Sequence, residues 1–142
     1  MTGTESKVVV YQLPRFDNIS RVAVWASTSS LTLTYEFFRD GVVSHAAIRF
    51  SSTIAYRHLA ESHSTGWHTG VAYESLVEVT PSEWLIELAA AVQANQWIPS
   101  EWDLHHYLIF FEDEGAFEVA AERWTALPER IGPLSTFLDL QD

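Results

Sequence analysis

The residues best suited to chemistry in this sequence are its histidines, because histidine changes charge near neutral pH and is a common metal ligand. His58, His63 and His68 lie five residues apart in the stretch AYRHLAESHSTGWHTG, and His105 and His106 stand side by side in a later apolar run. Neither the i, i+4 histidine pair of a metal-binding helix nor an H-E-x-x-H motif is present. We therefore predict no metal site and no cofactor, and we expect hydrogen bonds to satisfy these histidines.

A pair formed by Glu122 and one of the adjacent histidines is better defined. The segment LHHYLIFFEDEGAFEVAAERW predicts a β-hairpin, with Gly115 supplying a positive φ at the last position of the turn. A three-residue turn places Glu122 across from His106, and a four-residue turn places it across from His105. A neighbouring carboxylate raises a histidine pKa and orients one tautomer. Such a pair is also common on ordinary sheets, and no G-x-S-x-G motif accompanies it, so we assign no catalytic residue.

A ligand pocket is the alternative that these residues leave open. The segment STGWHTG places an indole and an imidazole between two glycines, where they could stack on a ligand, although it lacks the glycine-rich motifs that bind phosphate. A small-molecule-binding protein or an enzyme would use a pocket lined by Trp67, His68, His106, Tyr107, Glu118 and Glu122.

The elements that must position these side chains are mainly strands. Alternation in LTLTYEFF predicts a half-buried strand, and the turn Arg39–Gly41 connects it to VVSHAAIRF as a hairpin. Further β-rich segments are KVVVYQL, SRVAVWAS, TIAYRHLAE and YESLVEV. We predict a single α+β domain over residues 1–142, with residues 1–6 loose. Its antiparallel sheet would have six or seven strands, and a strongly bent sheet is one version.

One main helix, over about residues 81–96, is predicted to pack on this sheet. Thr80 is the expected N-cap, and Glu83 completes a T-x-x-E capping box. Ile86 and Trp97 fall opposite the main apolar stripe, which gives the helix more apolar surface than one-sided packing uses. Either loops or another chain would cover that second face, and self-association is one way to do so.

Charge favours a protein partner over a nucleic acid. The chain has 8 basic and 19 acidic side chains, and residues 71–142 contain fourteen acidic and two basic ones, a net charge of −12. Nucleic-acid binding requires clustered Lys and Arg, whereas an acidic surface attracts basic molecules. We therefore predict a non-enzymatic interaction protein that binds a basic protein partner, for example as a toxin-neutralising protein. The predicted contact residues are Glu83, Ile86, Glu87, Trp97, Glu112, Asp113 and Glu114.

The expected location is the cytoplasm, without membrane attachment. The segment MTGTESKVVVYQLPRF lacks the pattern of a signal peptide, and no window approaches the roughly 18 apolar residues of a membrane helix. The absence of cysteine excludes disulfides and thiolate metal sites, and it fits a reducing compartment.

A resemblance to other proteins extends over residues 45–127. The Trp-His segment GWHTG, the S-E-W helix and the H-H-Y hairpin that ends in A-E-R-W resemble features of small uncharacterised proteins of high-GC bacteria. This resemblance implies no particular activity. In its acidic, Trp-rich composition the chain is similar to bacterial immunity proteins that neutralise toxins.

Overall fold

The computed structural model describes residues 5–94 and 103–134, with the backbone only for residues 92–94. The described strands are β1 (Ser6–Gln12), β2 (Asn18–Ala26), β3 (Ser30–Arg39), β4 (Val42–Leu59), β5 (Ser75–Thr80), β6 (His105–Phe111) and β7 (Gly115–Ile131). The helices are α1 (Gly66–Thr69) and α2 (Glu83–Ala94), with a short 3₁₀ turn at Glu61–His63. The strands form one open antiparallel sheet in the order β1-β5-β6-β7-β4-β3-β2. The predicted antiparallel α+β architecture is confirmed in outline, although strands dominate and the helical part is small.

The chain forms two compact units. Unit 1 comprises residues 1–12 and 54–122, and unit 2 comprises residues 13–53 and 123–142. The long strands β4 and β7 contribute residues to both units. The single domain expected from the sequence therefore stays a prediction.

In unit 2, β3 lies between β2 and β4. The predicted hairpin turn is confirmed: Asp40 and Gly41 alone separate β3 from β4, and both have positive φ. The prediction that β3 is half-buried is wrong, because its polar face is buried as well as its apolar face. The carboxylate of Glu36 can be buried on this face because it accepts hydrogen bonds from Ser20 Oγ and from the backbone N–H of Leu134.

In unit 1, the helices pack on the part of the sheet that β5, β6 and β7 form. Phe111 pairs with Gly115 across the three-residue turn Glu112–Glu114. Gly115 has the predicted positive φ, of 102°, but it is the first residue of β7 and not the last residue of the turn. One face of these strands carries a buried apolar cluster against which Trp67 of α1 packs. The buried residues of this cluster are Ala72, Val77, Val79, Leu108, Phe110 and Ala116.

Helix α2 begins at Glu83, two residues later than predicted. The predicted capping box at Thr80 is wrong, because Thr80 remains in β5, where it pairs with Ser6 of β1. Ser82 caps the helix instead: its Oγ accepts a hydrogen bond from Leu85 N–H at 3.0 Å. The predicted end of the helix, beyond residue 94, lies outside the described residues.

Candidate functional site

Four side chains form a hydrogen-bonded series at the start of β6 in unit 1, in the order Ser82, His106, Glu118 and Arg57. His106 is 1% exposed, and its Nε2 lies 2.7 Å from Glu118 Oε1 while its Nδ1 lies 2.7 Å from Ser82 Oγ. At the other end, Arg57 of β4 donates from Nε and Nη2 to the two oxygens of Glu118, each at 3.0 Å. Bidentate pairs of this kind are among the strongest hydrogen-bonded contacts in proteins.

Glu118 is ionised at neutral pH although it is buried. Burial raises the pKa of its carboxyl, but the hydrogen bonds from His106 and Arg57 outweigh burial and lower the pKa to about 2. Because a carboxylate only accepts hydrogen bonds, a neutral His106 donates Nε2–H to it and accepts the Ser82 hydroxyl at Nδ1. The series therefore selects one tautomer of His106.

Serine, histidine and carboxylate also make up a nucleophilic triad. Ser82, however, is placed for another role: it is 6% exposed, and its Oγ is bonded both to His106 and to the first turn of α2. A nucleophile must present its oxygen to a substrate, and Ser82 does not line the adjoining cleft. The series fastens the start of α2 to β6.

That cleft has a volume of about 240 Å³ and lies entirely within unit 1. It is lined by Glu5, Arg57, Trp67, Glu83, Trp84, Glu87 and His106. The two basic side chains described in unit 1 each contact an indole: Arg57 lies 4.3 Å from the ring centroid of Trp84, and Lys7 Nζ lies 4.5 Å from that of Trp67. Cation–π contacts of this type show that the aromatic walls accept positive charge.

Three carboxylates reach the cleft from two parts of the chain. Glu83 and Glu87 are exposed and lie one helical turn apart on α2, where like charges repel. Glu5 belongs to the residues predicted to be loose, yet its carboxylate accepts a hydrogen bond from Glu83 N–H at 3.0 Å. A cation bound in the cleft would relieve the repulsion among these groups.

The net charge of the chain is concentrated in unit 1. Over the whole sequence, unit 1 holds 13 acidic and 2 basic side chains, and unit 2 holds 6 of each. The formal charge of −11 therefore belongs entirely to unit 1. A division of the sequence at residue 70 gives a similar separation, +1 and −12, because most acidic residues of unit 1 follow that point.

Three of the six residues predicted to line a ligand pocket come together here. Trp67 and His106 line the cleft, and Glu118 lies directly behind His106. His68 lies beside Trp67, with ring centroids 5.1 Å apart, but its Nδ1 accepts a hydrogen bond from Thr65 N–H at the start of α1. Burial lowers the pKa of His68.

Tyr107 and Glu122 lie elsewhere in unit 1. Tyr107 follows His106 in a strand, so its side chain points to the opposite face. It is buried there, and burial raises its pKa to about 12, with Glu78 and Asp103 adding to the shift. Glu122 accepts a hydrogen bond from the backbone N–H of Asp103 at 3.1 Å.

The predicted pairing of Glu122 with a histidine is wrong. The turn is Glu112–Glu114 and does not end at Gly115, so His106 aligns with Ala120, and the carboxylate that reaches His106 diagonally on the same face is Glu118. Both predicted turns end at Gly115, which shifts the register of β7 by two residues for the three-residue turn and by one residue for the four-residue turn.

His105 has different carboxylate partners, on the other face of β6. Its Nδ1 lies 2.6 Å from Glu78 Oε2, and its Nε2 lies 3.2 Å from Asp103 Oδ2. Burial lowers the pKa of His105, but these two hydrogen bonds outweigh burial and raise it above the ordinary value. Both adjacent histidines are therefore bound to acidic side chains.

The three evenly spaced histidines make separate local contacts. His58 Nε2 lies 2.7 Å from the carbonyl oxygen of Glu114, and its ring stacks on Phe117 at 4.3 Å. His63 Nδ1 lies 3.1 Å from Ser62 Oγ, and His68 belongs to α1. Within residues 5–94 and 103–134, no three His, Asp or Glu side chains converge as a group that could hold a metal ion.

The residues predicted to bind a basic partner fall into two separate groups. Glu83, Ile86 and Glu87 are exposed on the first turns of α2, and the two glutamates line the cleft. The acidic turn Glu112–Glu114 lies at the far end of β6, a strand of seven residues that spans about 20 Å. Trp97 lies outside the described residues.

Four residues of the site were not predicted from the sequence: Glu5, Arg57, Ser82 and Trp84. A serine before an apolar helical pattern is an N-cap signal, but Thr80 offered a competing one. Arg57 and Glu118 are 61 positions apart in the sequence, so local periodicity cannot join them.

Comparisons with protein-family models, with curated proteins and with solved structures give no match. Among the described helices, none has the length and apolar character that crossing a membrane would require. A function for this protein is therefore inferred from the geometry and charge of unit 1.

Proposed function

We propose that this chain is a non-enzymatic interaction protein, and that unit 1 binds a basic partner protein by accepting a cationic side chain in the cleft beside His106. The observation that carries the proposal is the lining of the cleft. The carboxylates of Glu5, Glu83 and Glu87 lie there together with the indoles of Trp67 and Trp84, in the unit that holds the entire net charge.

Arginine is the side chain that this lining suits best. Its planar guanidinium binds carboxylates and also stacks on aromatic rings. Arg57 makes both contacts within the same unit, to Glu118 and to the ring of Trp84. A partner arginine would find carboxylate and indole side by side in the cleft.

The charge of unit 1 supports a basic partner at longer range. A surface of one sign steers oppositely charged proteins and speeds their association. A basic toxin is one class of protein that such a surface would neutralise. The alternative, a small-molecule site, has less support because Tyr107 and Glu122 lie away from the cleft.

A pair of peptides of the same shape tests the role of positive charge. The first is acetyl-Gly-Arg-Gly-Arg-Gly-amide, and the second carries citrulline, which is neutral, in place of both arginines. Calorimetric titration at about 50 mM NaCl is expected to give at least about tenfold tighter binding of the arginine peptide, with the difference shrinking at higher salt. Equal affinity for the two peptides, or no binding of either, would contradict the proposal.

Two double variants with equal charge changes separate the cleft from the net charge. Glu83→Gln with Glu87→Gln removes two carboxylates from the cleft and is expected to weaken binding of the arginine peptide about tenfold. Glu112→Gln with Asp113→Asn removes two from the distant turn and is expected to change binding by about twofold or less. If the turn variant weakens binding as much as the helix variant, the cleft is not the site.

A further inference from the structure

Two buried polar atoms of unit 2, Thr34 Oγ1 and His45 Nε2, have no hydrogen-bond partner within the described part of the chain. The Thr34 residue is 0% exposed, and His45 is 7% exposed. Native proteins leave few buried polar atoms unpaired, because an unpaired group loses its bonds to water without replacement. A bound molecule is one explanation for such atoms.

The sheet places the two side chains on one face. Thr34 pairs with Ala47 and Glu36 pairs with His45 across β3 and β4, so Thr34 and His45 are diagonal neighbours. Diagonal Cα atoms lie about 7–8 Å apart, with the side chains closer, so a small group lying between the two side chains is within reach of both. The two atoms can therefore share a single hydroxyl group.

The hydrogen-bonding role of each atom follows from its surroundings. His45 Nδ1 lies 2.9 Å from the carbonyl oxygen of Gly132, which only accepts, so Nδ1 carries the proton. In a neutral imidazole Nε2 is then an acceptor and requires a donor. The Thr34 hydroxyl can donate to the same group.

Both residues adjoin a cavity of about 110 Å³ in unit 2. The remaining lining is mostly apolar and comes from Ala46, Ala47, Leu127, Pro128 and Arg130. A mainly apolar cavity with a few convergent polar atoms is the usual form of a small-molecule site. Its volume is below the roughly 150 Å³ of a cavity that holds benzene, so the ligand must be small.

We propose that this cavity binds a small aliphatic alcohol. The hydroxyl of the alcohol donates to His45 Nε2 and accepts from Thr34 Oγ1, and its alkyl part contacts Leu127 and Pro128. The site belongs to unit 2 and is independent of the function proposed for unit 1. Water is the competing occupant, because the cavity has room for about three molecules.

2-Propanol and acetone are the probes, since each is smaller than benzene, both have the same number of non-hydrogen atoms, and only the alcohol has a hydrogen-bond donor. The ketone can accept from Thr34 but cannot donate to His45 Nε2. We expect NMR titration of the full chain, followed at the His45 Nε2 resonance and the Thr34 methyl group, to show at least about tenfold tighter binding of the alcohol. Equal binding of both, or retained water with no response to either probe, overturns the proposal.

His45→Asn tests the acceptor directly. The shorter amide keeps a donor for Gly132 and removes Nε2, so the preference for the alcohol over the ketone is expected to disappear. Thr34→Val is the second variant, and it replaces the unpaired hydroxyl with a methyl group of similar size. It is expected to fold at least as stably as the wild type and to bind 2-propanol about fivefold more weakly. A preference for the alcohol that persists in His45→Asn overturns the proposal, as does unchanged affinity in Thr34→Val.

Discussion

Glu118 connects His106 and Arg57 in the hydrogen-bonded series of unit 1. Its side chain is 4% exposed, and it accepts hydrogen bonds from both His106 and Arg57. Loss of its charge would leave a guanidinium without an anion and a buried imidazole with a weaker acceptor. Breaking such a contact costs more than the pair itself contributes, because the remaining group stays buried.

We expect Glu118→Gln to lower the free energy of unfolding at pH 7 by about 1–3 kcal/mol, less than for a fully buried pair because Arg57 is half exposed. The pKa of Glu118 is lowered in the folded state, to about 2. Its stabilisation is therefore complete above the ordinary carboxyl pKa and is lost as the pH falls toward 2. Urea unfolding between pH 7 and pH 2.5, followed by circular dichroism, should show a shallower acid decline for the variant. Parallel curves would show that Glu118 is not the source of that decline.

At the scale of elements, the turn between β6 and β7 decides which side chains share a face with His106. A slip of one residue would transfer Glu118 to the opposite face, because side chains alternate along a strand. Gly115 fixes this register: its φ is 102°, and a Cβ atom there would lie 2.2 Å from the carbonyl oxygen of Leu59. That approach is too close for any side chain.

Gly115→Ala is expected to lower the free energy of unfolding by more than about 3 kcal/mol, since it adds a backbone clash to an unfavourable φ. Gly41→Ala is the matched control, because Gly41 also has a positive φ, of 79°, but a Cβ atom would meet nothing within 4 Å. The control should lose only about 1–2 kcal/mol, the cost of its backbone conformation. Equal losses in chemical denaturation would show that contact with Leu59 is unimportant.

Local elements were predictable from the sequence where the residue types in a turn determine its backbone conformation. The Asp40–Gly41 turn and the positive φ of Gly115 follow from short-range rules and are confirmed. The start of α2 was not predictable, because Thr80 and Ser82 are both plausible caps and pairing of β5 with β1 decides between them. The partner of His106 was not predicted, because both predicted turns end at Gly115 and neither gives the observed register.

The burial of β3 shows a second limit of prediction. Alternation of Thr with apolar residues is typical of a strand with one wet face. In the structure Thr32, Thr34 and Glu36 are buried, because chain segments distant in sequence satisfy or cover them. The cavity beside His45 arises from that tertiary cover, so no local pattern could have indicated it.

At the scale of the whole molecule, the fold brings acidic side chains from distant parts of the sequence together in unit 1. Unit 1 joins the first strand to the central part of the chain, so Glu5 meets Glu83 from 78 positions away. Crowding of like charges affects ionisation. The pKa of Glu74 is raised mainly by burial and further by repulsion from the Glu112 carboxylate. An excess of one sign favours a basic partner and also strains the unit that carries it.

Salt is expected to stabilise the free protein by screening this repulsion. An increase from about 20 mM to about 300 mM NaCl should raise the free energy of unfolding by on the order of 1 kcal/mol, because the Debye length falls below the spacing of the carboxylates. The gain should be smaller in the Glu112→Gln, Asp113→Asn variant, which carries two fewer like charges. Thermal unfolding at the two salt concentrations measures both effects. A lower midpoint at high salt would mean that attractive ion pairs outweigh the repulsion.

Strand β1 and the acidity of unit 1 together determine when the protein is prone to aggregate. β1 stands at one end of the strand order, and its Val8 and Val9 are 59% and 43% exposed. An open strand edge with apolar side chains is a template for a strand of another molecule. At neutral pH the charge of unit 1 repels a second copy, whereas near the isoelectric point of about 4.8 that repulsion vanishes. Mild acid, and not heat alone, is therefore the condition under which edge-to-edge aggregation of this protein would begin.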